Sequence, residues 1–417
     1  MVHPLRSIYL RSTDRVSITF SFPRQHYAQL IQREVTMNKF IKTNSSGFAS
    51  YRLPAALIGG LALIGLASQS VQAKEITFAS YLPPSHLMNK EALPSFFKAV
   101  TAASNGSITF NHVPGAQLFD NKSSITATGE GLADATNALS AYAPNQLPHF
   151  NILFDMVAFV ENPLAGAGAA LETVLLDCPE CQADFKQHGV TILGTYATSN
   201  SGLFCTKVVS SAEDIKGLKV RVSGSGGRLA RHLGATPVRV SPADLVTSLE
   251  RGNIDCVLGP LAWISSYNLF DTIKSIVSYP FGAFPNAISV AFNTDSWNTL
   301  DKDQQQAFMK SLPALTYDLV IKGYVEGHDA ALKTAAEKGI SVLTGQSEFA
   351  QTVADYKNKD EAVIAETASK FGVKNPEQII SQFKKNLDKW NALLTGDTID
   401  KAAYEKVLWD EIYSKIK

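Results

Sequence analysis

The chain has 417 residues, 45% hydrophobic and 18% charged, with 38 basic and 38 acidic side chains. That length is enough for two domains of ordinary size. The even balance hides an asymmetry: residues 1–73 hold eight Arg/Lys and two Asp/Glu, which leaves 30 basic and 36 acidic groups in residues 74–417. A mildly acidic body has no electrostatic reason to bind nucleic acid or an anionic membrane.

The first segment in chain order is a targeting signal. Met37, Lys39 and Lys42 open a basic stretch that ends at Arg52, and residues 53–67 are an apolar run of 15. Small and polar residues then lead to Val71, Gln72 and Ala73, which read as a cleavage site. This is the layout of a secretory signal peptide over 37–73. The run is short for a membrane span, which needs about 20 apolar residues. An uncleaved anchor is the alternative. Residues 1–36 fit neither a signal nor a domain and read as an extension upstream of a working start at Met37.

Residues 74–80 alternate apolar and polar and predict a strand. A loop follows with Tyr81, two prolines and His86, then a helix over 88–104 and a strand over 107–112. Residues 122–138 predict a helix interrupted at Gly129 and Gly131, ending in a run toward Ser140. The opening pattern is β-α-β-α-β, as in a doubly wound domain. Residues 150–160 are candidate core, and 163–176 predict an Ala/Gly/Leu helix. Strands are expected at 190–196 and 202–209. The polar segment 197–201 between them is where the chain passes from one domain to the other.

The stretch 218–260 carries a second β-α-β-α-β pattern. Its first run, 218–222, places one cation, Arg221, among apolar neighbours. A glycine-rich turn, 224–227, and a short helix to Leu233 follow. A strand at 236–240 leads to Ser241, Pro242 and Asp244, a helix-start pattern. Leu245 and Leu249 share a helix face. Gly252 stops that helix before a third apolar run, 254–258. Such alternation predicts parallel strands with helical crossovers. Beyond it come a strand at 289–292 ending at Asn293, helix over 296–312, and helix again after Pro313 to about Lys338. A short strand at 340–343 precedes a helical tail. In that tail Asn375-Pro376-Glu377 starts one helix, Gly396 stops it, and Asp397 to Asp400 starts the last.

All four cysteines follow the signal segment, which suits an oxidising compartment. Cys178 and Cys181 form a CPEC motif; Cys205 and Cys256 lie in separate apolar runs. A redox CxxC lacks its usual strand context, and only half of a four-cysteine zinc site has the right spacing. Two structural disulfides, Cys178–Cys181 and Cys205–Cys256, are the favoured reading. The chain has no GxSxG, HExxH, Walker A or complete GxGxxG motif. No two of its histidines after residue 73 have the helical spacing of metal ligands. No cofactor or metal is therefore implied, and no nucleophile is paired with a base.

Arg221 stands at a strand end, before a glycine turn and a helix N-terminus. Ligands of open α/β sheets bind beyond the carboxyl ends of strands. A guanidinium there offers a planar fork to a carboxylate. A structural salt bridge with Asp244 or Glu250 is the other reading.

Several segments carry a family resemblance. KEITFASYLPPSH (74–86), DIKGLKVRV (214–222), LGATPVRVSPADLVTSLERGNIDCVLGP (233–260) and AISVAFNTDSW (287–297) occur in the order and spacing of one family. The chain resembles the periplasmic solute-binding proteins of tripartite ATP-independent (TRAP) transporters, dicarboxylate-binding type, over about 340 residues. The resemblance implies an α/β, two-domain periplasmic-binding-protein architecture with crossing strands, a long helix and a central ligand cleft. The family's carboxylate-clamping arginine falls on Arg221 and its strand-end asparagine on Asn293. Ser223 stands where relatives usually have proline. Thr198 stands where sialic-acid-type relatives carry a second arginine. The run after Asp255 is less polar than usual, so Trp263, Tyr267 and Phe204 are candidate pocket walls. Tyr81 and His86 in the first loop are further candidates.

The resulting expectation is a periplasmic, non-catalytic receptor for a small organic acid, mono- or dicarboxylate. Arg221 and the N–H groups of the Gly224–Gly227 turn, with Ser223, hold the carboxylate. Partners are the TRAP permease membrane subunits; a monomer is expected. The expected parts are 74–198 for the first domain and 199–318 for the second. A helical part, 319–417, returns to the first domain and then packs across both. A ligand module of a sensor and an exported enzyme on the same fold are the alternatives.

Overall fold

The computed structural model describes residues 73–345, 347–394 and 400–416. The upstream extension, the signal segment before Ala73, and the helix boundary at Gly396 and Asp397 lie outside the described residues. Among the described residues there are eleven strands. They are β1 (Lys74–Ala79), β2 (Ile108–Val113), β3 (Ala135–Ala138), β4 (Val190–Tyr196), β5 (Ser201–Cys205), β6 (Lys219–Arg221), β7 (Thr236–Val238), β8 (Cys256–Pro260), β9 (Ser275–Val277), β10 (Ala287–Asn293) and β11 (Ser341–Leu343).

They form two sheets, in the orders β2-β1-β3-β10-β4 and β11-β9-β5-β8-β6-β7. In the first, β2, β1 and β3 run parallel, and β10 enters antiparallel between β3 and β4. In the second, β8, β6 and β7 are the parallel trio of the 218–260 stretch. Here β5 pairs antiparallel with β8 and β9. Leu245 and Leu249 pack together in this lobe's core, as their shared helix face requires.

β10 corrects the expected second domain of 199–318, because it belongs to the first sheet. All seven residues of AISVAFN are buried. A strand apolar on both faces needs an interior slot with cover on each side, and the gap between β3 and β4 supplies it. β11 corrects the next segment: it pairs with β9, so the chain after 319 reaches the second lobe before it returns to the first.

The lobes are joined by the segments between β4 and β5 and between β9 and β10. These pair with each other, with Thr198 N donating to Phe284 O at 3.0 Å and Ser201 N to Gly282 O at 2.8 Å. Two long helical stretches also span both lobes. Lys302–Tyr317 continues through a wider-wound turn, Asp318–Val325, into Glu326–Glu337. Phe308, Leu312 and Leu315 pack in the first lobe's core, and Ala331 and Ala335 in the second's. The expected break at Pro313 does not occur, since Lys302–Tyr317 runs through it. Burial of Phe308, Leu312 and Leu315 holds the turn that proline leaves one hydrogen bond short. Ser347–Lys370 puts Phe349, Val353 and Tyr356 in the second core and Ile364, Ala365 and Ala368 in the first. Its 24 residues reach about 36 Å.

Cys205 and Cys256 are register partners on β5 and β8 and are joined by a disulfide. Cys178 and Cys181 are joined at the head of helix Pro179–Lys186. No described helix is long and apolar enough to cross a membrane.

Candidate functional site

The site is built outward from the end of β6. Side chains alternate across a strand, so Val220 and Val222 enter the second lobe's core. Arg221 points the other way, 1% exposed. Its Nε donates to Val240 O at 3.1 Å and its Nη2 to the Tyr142 hydroxyl at 3.0 Å. The guanidinium lies 5.4 Å from the centroid of the Trp263 ring. Nη1 is buried and has no hydrogen-bond partner. The alternative ion pair with Asp244 is not formed: that carboxylate accepts from Ser241 Oγ at 2.7 Å. Among the described residues no carboxylate pairs with Arg221.

Arg221 lines a cavity between the lobes. The second lobe contributes Ser223, Pro242, Trp263 and Tyr267; the first contributes Tyr81, His86, Leu139 and Tyr142. Thr198 and Phe284 enter from the crossing segments and Tyr324 from the wider-wound turn of the long helix. Trp263 follows β8 on a short helix, Ala262–Ser266. A Cβ on Gly259 would stand 2.5 Å from the indole, so glycine at this point lets the ring lie against the strand.

Six of the nine candidate binding residues therefore meet in one cavity: Arg221, Ser223, Trp263, Tyr81, His86 and Thr198. Tyr267, a candidate wall, joins them. The other three do not line it. Asn293 caps helix Thr294–Asn298 by accepting from Ser296 N at 2.8 Å, and donates to Thr128 O at 2.9 Å. A strand-end asparagine followed by a helix is an N-cap, and that role takes its side chain. Phe204 is fully buried in the second lobe's core with Leu245 and Leu249 and does not line the cavity. Gly224 borders an adjoining polar groove instead, which shares Tyr142 and Ser223 with the cavity.

The expected amide cradle is also corrected. Ser225 N donates to Asp155 Oδ1 at 3.1 Å, Gly226 N to Ser223 O at 3.1 Å and Gly227 N to Gly224 O at 3.3 Å. These amides are already satisfied within the protein. Gly224 has φ +50°, and a Cβ there would stand 2.7 Å from Phe154. Its role is close approach between the lobes.

Burial pushes the His86 pKa down to about 3. Its Nδ1 accepts from Met88 N at 3.2 Å, so the neutral ring carries its proton on Nε2. Burial also raises Tyr81 well above the usual tyrosine range; neighbouring Tyr142, Tyr267 and Tyr324 add to the shift and Arg221 opposes it. Ser223 Oγ is buried without a partner. One guanidinium nitrogen, Nη1, and one hydroxyl are thus free on the same strand end, in a cavity walled by rings. The donors left free there suit a single anionic group.

Tyr142, Tyr324, Tyr196, Phe154 and Phe284 also line the cavity and were not singled out from sequence. They sit on five separate segments, and each alone looks like an ordinary core aromatic.

Several known proteins are similar to this chain. The chain is 24% identical over 208 residues to the ectoine-binding periplasmic protein TeaA of Halomonas elongata, covering 49% of this chain and 59% of that one. It is 29% identical over 107 residues to a monocarboxylate 2-oxoacid-binding periplasmic protein of Nostoc sp., 24% of this chain and 28% of that one. The chain thus spans under two thirds of the length of these curated relatives. Among solved structures, a TRAP periplasmic solute binding protein from Bordetella bronchiseptica with bound mandelate matches with TM-score 0.65 and 25% identity, over 76% of this chain and 99% of that one. A TRAP solute binding protein from Rhodoferax ferrireducens with copurified benzoate shares the fold, with TM-score 0.67 and 19% identity over 78% and 100% of the two chains. The model of bacterial extracellular solute-binding protein family 7 matches residues 78–366, and the chain belongs to that family.

Proposed function

We propose that the chain is the extracytoplasmic receptor of a TRAP transporter, which captures a small organic acid between its lobes and hands it to the membrane permease subunits. The observation that carries this reading is Arg221: a guanidinium 1% exposed, with Nη1 unpartnered and no carboxylate of the protein beside it. A buried cation left without an anion is costly. A ligand carboxylate removes that cost, with Nη1 and Ser223 Oγ as donors. Tyr142 holds the guanidinium in place, and Tyr81, His86, Thr198 and Trp263 enclose the ligand. The crossing segments act as the hinge on which the lobes close. The ligand is released unchanged, and the receptor works as a monomer in the periplasm after removal of the signal segment. Membership of a solute-binding family and the mandelate-bound relative support the reading.

The test is mass spectrometry of small molecules released from the purified full chain, followed by a thermal-shift screen of organic acids. A ligand that binds only the folded state raises Tm. Recovery of an acid from the native protein and its loss from Arg221→Ala is expected. If no acid copurifies and none shifts Tm, the reading is wrong.

A further inference from the structure

The cavity's charges and surfaces narrow the ligand further, given the carboxylate-receptor reading. We infer that the site takes an aromatic monocarboxylate and rejects aliphatic dicarboxylates.

The first argument is charge count. Of the side chains that line the cavity, Arg221 is the one that carries a charge near neutral pH. His86 has its pKa pushed down to about 3 and stays neutral there. Thr198 offers no second cation, and its Oγ already donates to Ser199 O at 2.9 Å and accepts from Phe284 N at 3.1 Å. One carboxylate is neutralised by Arg221. Within this lining a second carboxylate would have no cation to pair with, which proteins avoid; Lys122, Arg239 and Arg251 line the adjoining groove and not the cavity.

The second argument is the wall. The remainder of the cavity is dominated by ring edges and faces. Tyr81 meets Tyr142 edge-on at 5.9 Å, and Tyr267 meets Trp263 edge-on at 6.2 Å. Phe154 and Phe284 stack at 4.9 Å along another side. Rings so arranged favour a flat apolar body that makes offset and edge-to-face contacts. A dicarboxylate of four carbons has neither the flat surface nor the single charge.

The test is calorimetry on the ligand-stripped full chain with five acids. Benzoate and mandelate are aromatic monocarboxylates. Pyroglutamate and cyclohexanecarboxylate keep one carboxylate without the aromatic ring. Succinate is smaller than benzoate, so its rejection reports charge and not size. Benzoate or mandelate should bind about 2- to 10-fold tighter than the non-aromatic monocarboxylates, from ring–ring contact alone. Succinate should bind about 100-fold weaker than benzoate or worse. Succinate binding as tightly as benzoate overturns the inference and leaves the carboxylate reading intact. Tightest binding by pyroglutamate or cyclohexanecarboxylate overturns the aromatic part. Failure of all five, with no acid released from native protein, overturns both this inference and the proposed function.

Discussion

Asp155 and Arg228 join the two lobes next to the site. Asp155 ends helix Pro148–Asp155, whose Phe150, Ile152 and Leu153 lie in the first core. Arg228 lies on helix Gly226–His232, whose Leu229 and Ala230 lie in the second. Arg228 Nη1 donates to Asp155 Oδ2 at 3.2 Å, and its Nε donates to Asp360 Oδ1 at 2.6 Å on the spanning helix Ser347–Lys370. Asp155 also receives Ser225 N, so the carboxylate that bridges the lobes also fixes the turn after Arg221. Burial pushes the Asp155 carboxyl up, and Arg228 pulls it back.

Breaking that contact should favour the open form. Removal of one member of a buried charged pair typically costs about 3–5 kcal/mol. Asp155→Asn should keep the fold, shift small-angle scattering toward a more extended particle with ligand present, and weaken ligand binding at least ~10-fold. Unchanged scattering and affinity would show that the pair is not a closure contact.

Arg221→Ala should weaken acid binding ~30- to several-thousand-fold, from the loss of about 2–5 kcal/mol. Arg221→Lys should lose much of the affinity too, because an ammonium lacks the planar fork. Calorimetry decides; near-normal affinity in a folded Arg221→Ala protein would refute the clamp.

His86 predicts an acid limb in stability. Its folded pKa, about 3, lies below the ordinary value of 6.5, so the unfolded chain binds a proton more readily. Stability therefore falls as pH drops from about 6.5 toward 3. The loss attributable to this ring at pH 4 is about 3 kcal/mol. Urea titrations from pH 3 to 7 should show a shallower fall for His86→Gln, whose remaining carboxylates titrate as before. Parallel curves for the two proteins would remove His86 from the explanation.

The two disulfides should contribute unequally. Cys205–Cys256 closes a loop of 51 residues and Cys178–Cys181 one of three. Chain entropy assigns about 4 kcal/mol to the first and about 1–2 kcal/mol to the second. Paired alanine variants compared by urea unfolding should keep that order; the reverse order would contradict the loop argument.

Arg221 was legible in the sequence because its signal is local. A lone cation at the end of an apolar run, before a glycine turn, needs no distant residue to stand out. The same holds for the parallel trio β8-β6-β7, which the alternation of short apolar runs and helix signals predicts. Asn293 shows the limit of such local signals. A strand-end asparagine before a helix suits a ligand donor or an N-cap equally, and only the placement of Ser296 and Thr128 decides between them. Phe204 shows a related limit: all five residues of β5 are buried, so alternation does not tell a cavity wall from plain core, and none of the five lines the cavity.

By itself, then, the sequence determined the α/β elements and marked Arg221 as a lone cation at a strand end, each written within a few consecutive residues; a clamp role for Arg221 was implied by the family resemblance over the whole chain. The tertiary structure alone decided where β10 is placed, that Asp155 occupies the glycine-turn amide, and that aromatics from 81 to 324 converge around one guanidinium. Packing brings together side chains hundreds of residues apart, and no local pattern encodes which of many buried rings face a shared cavity.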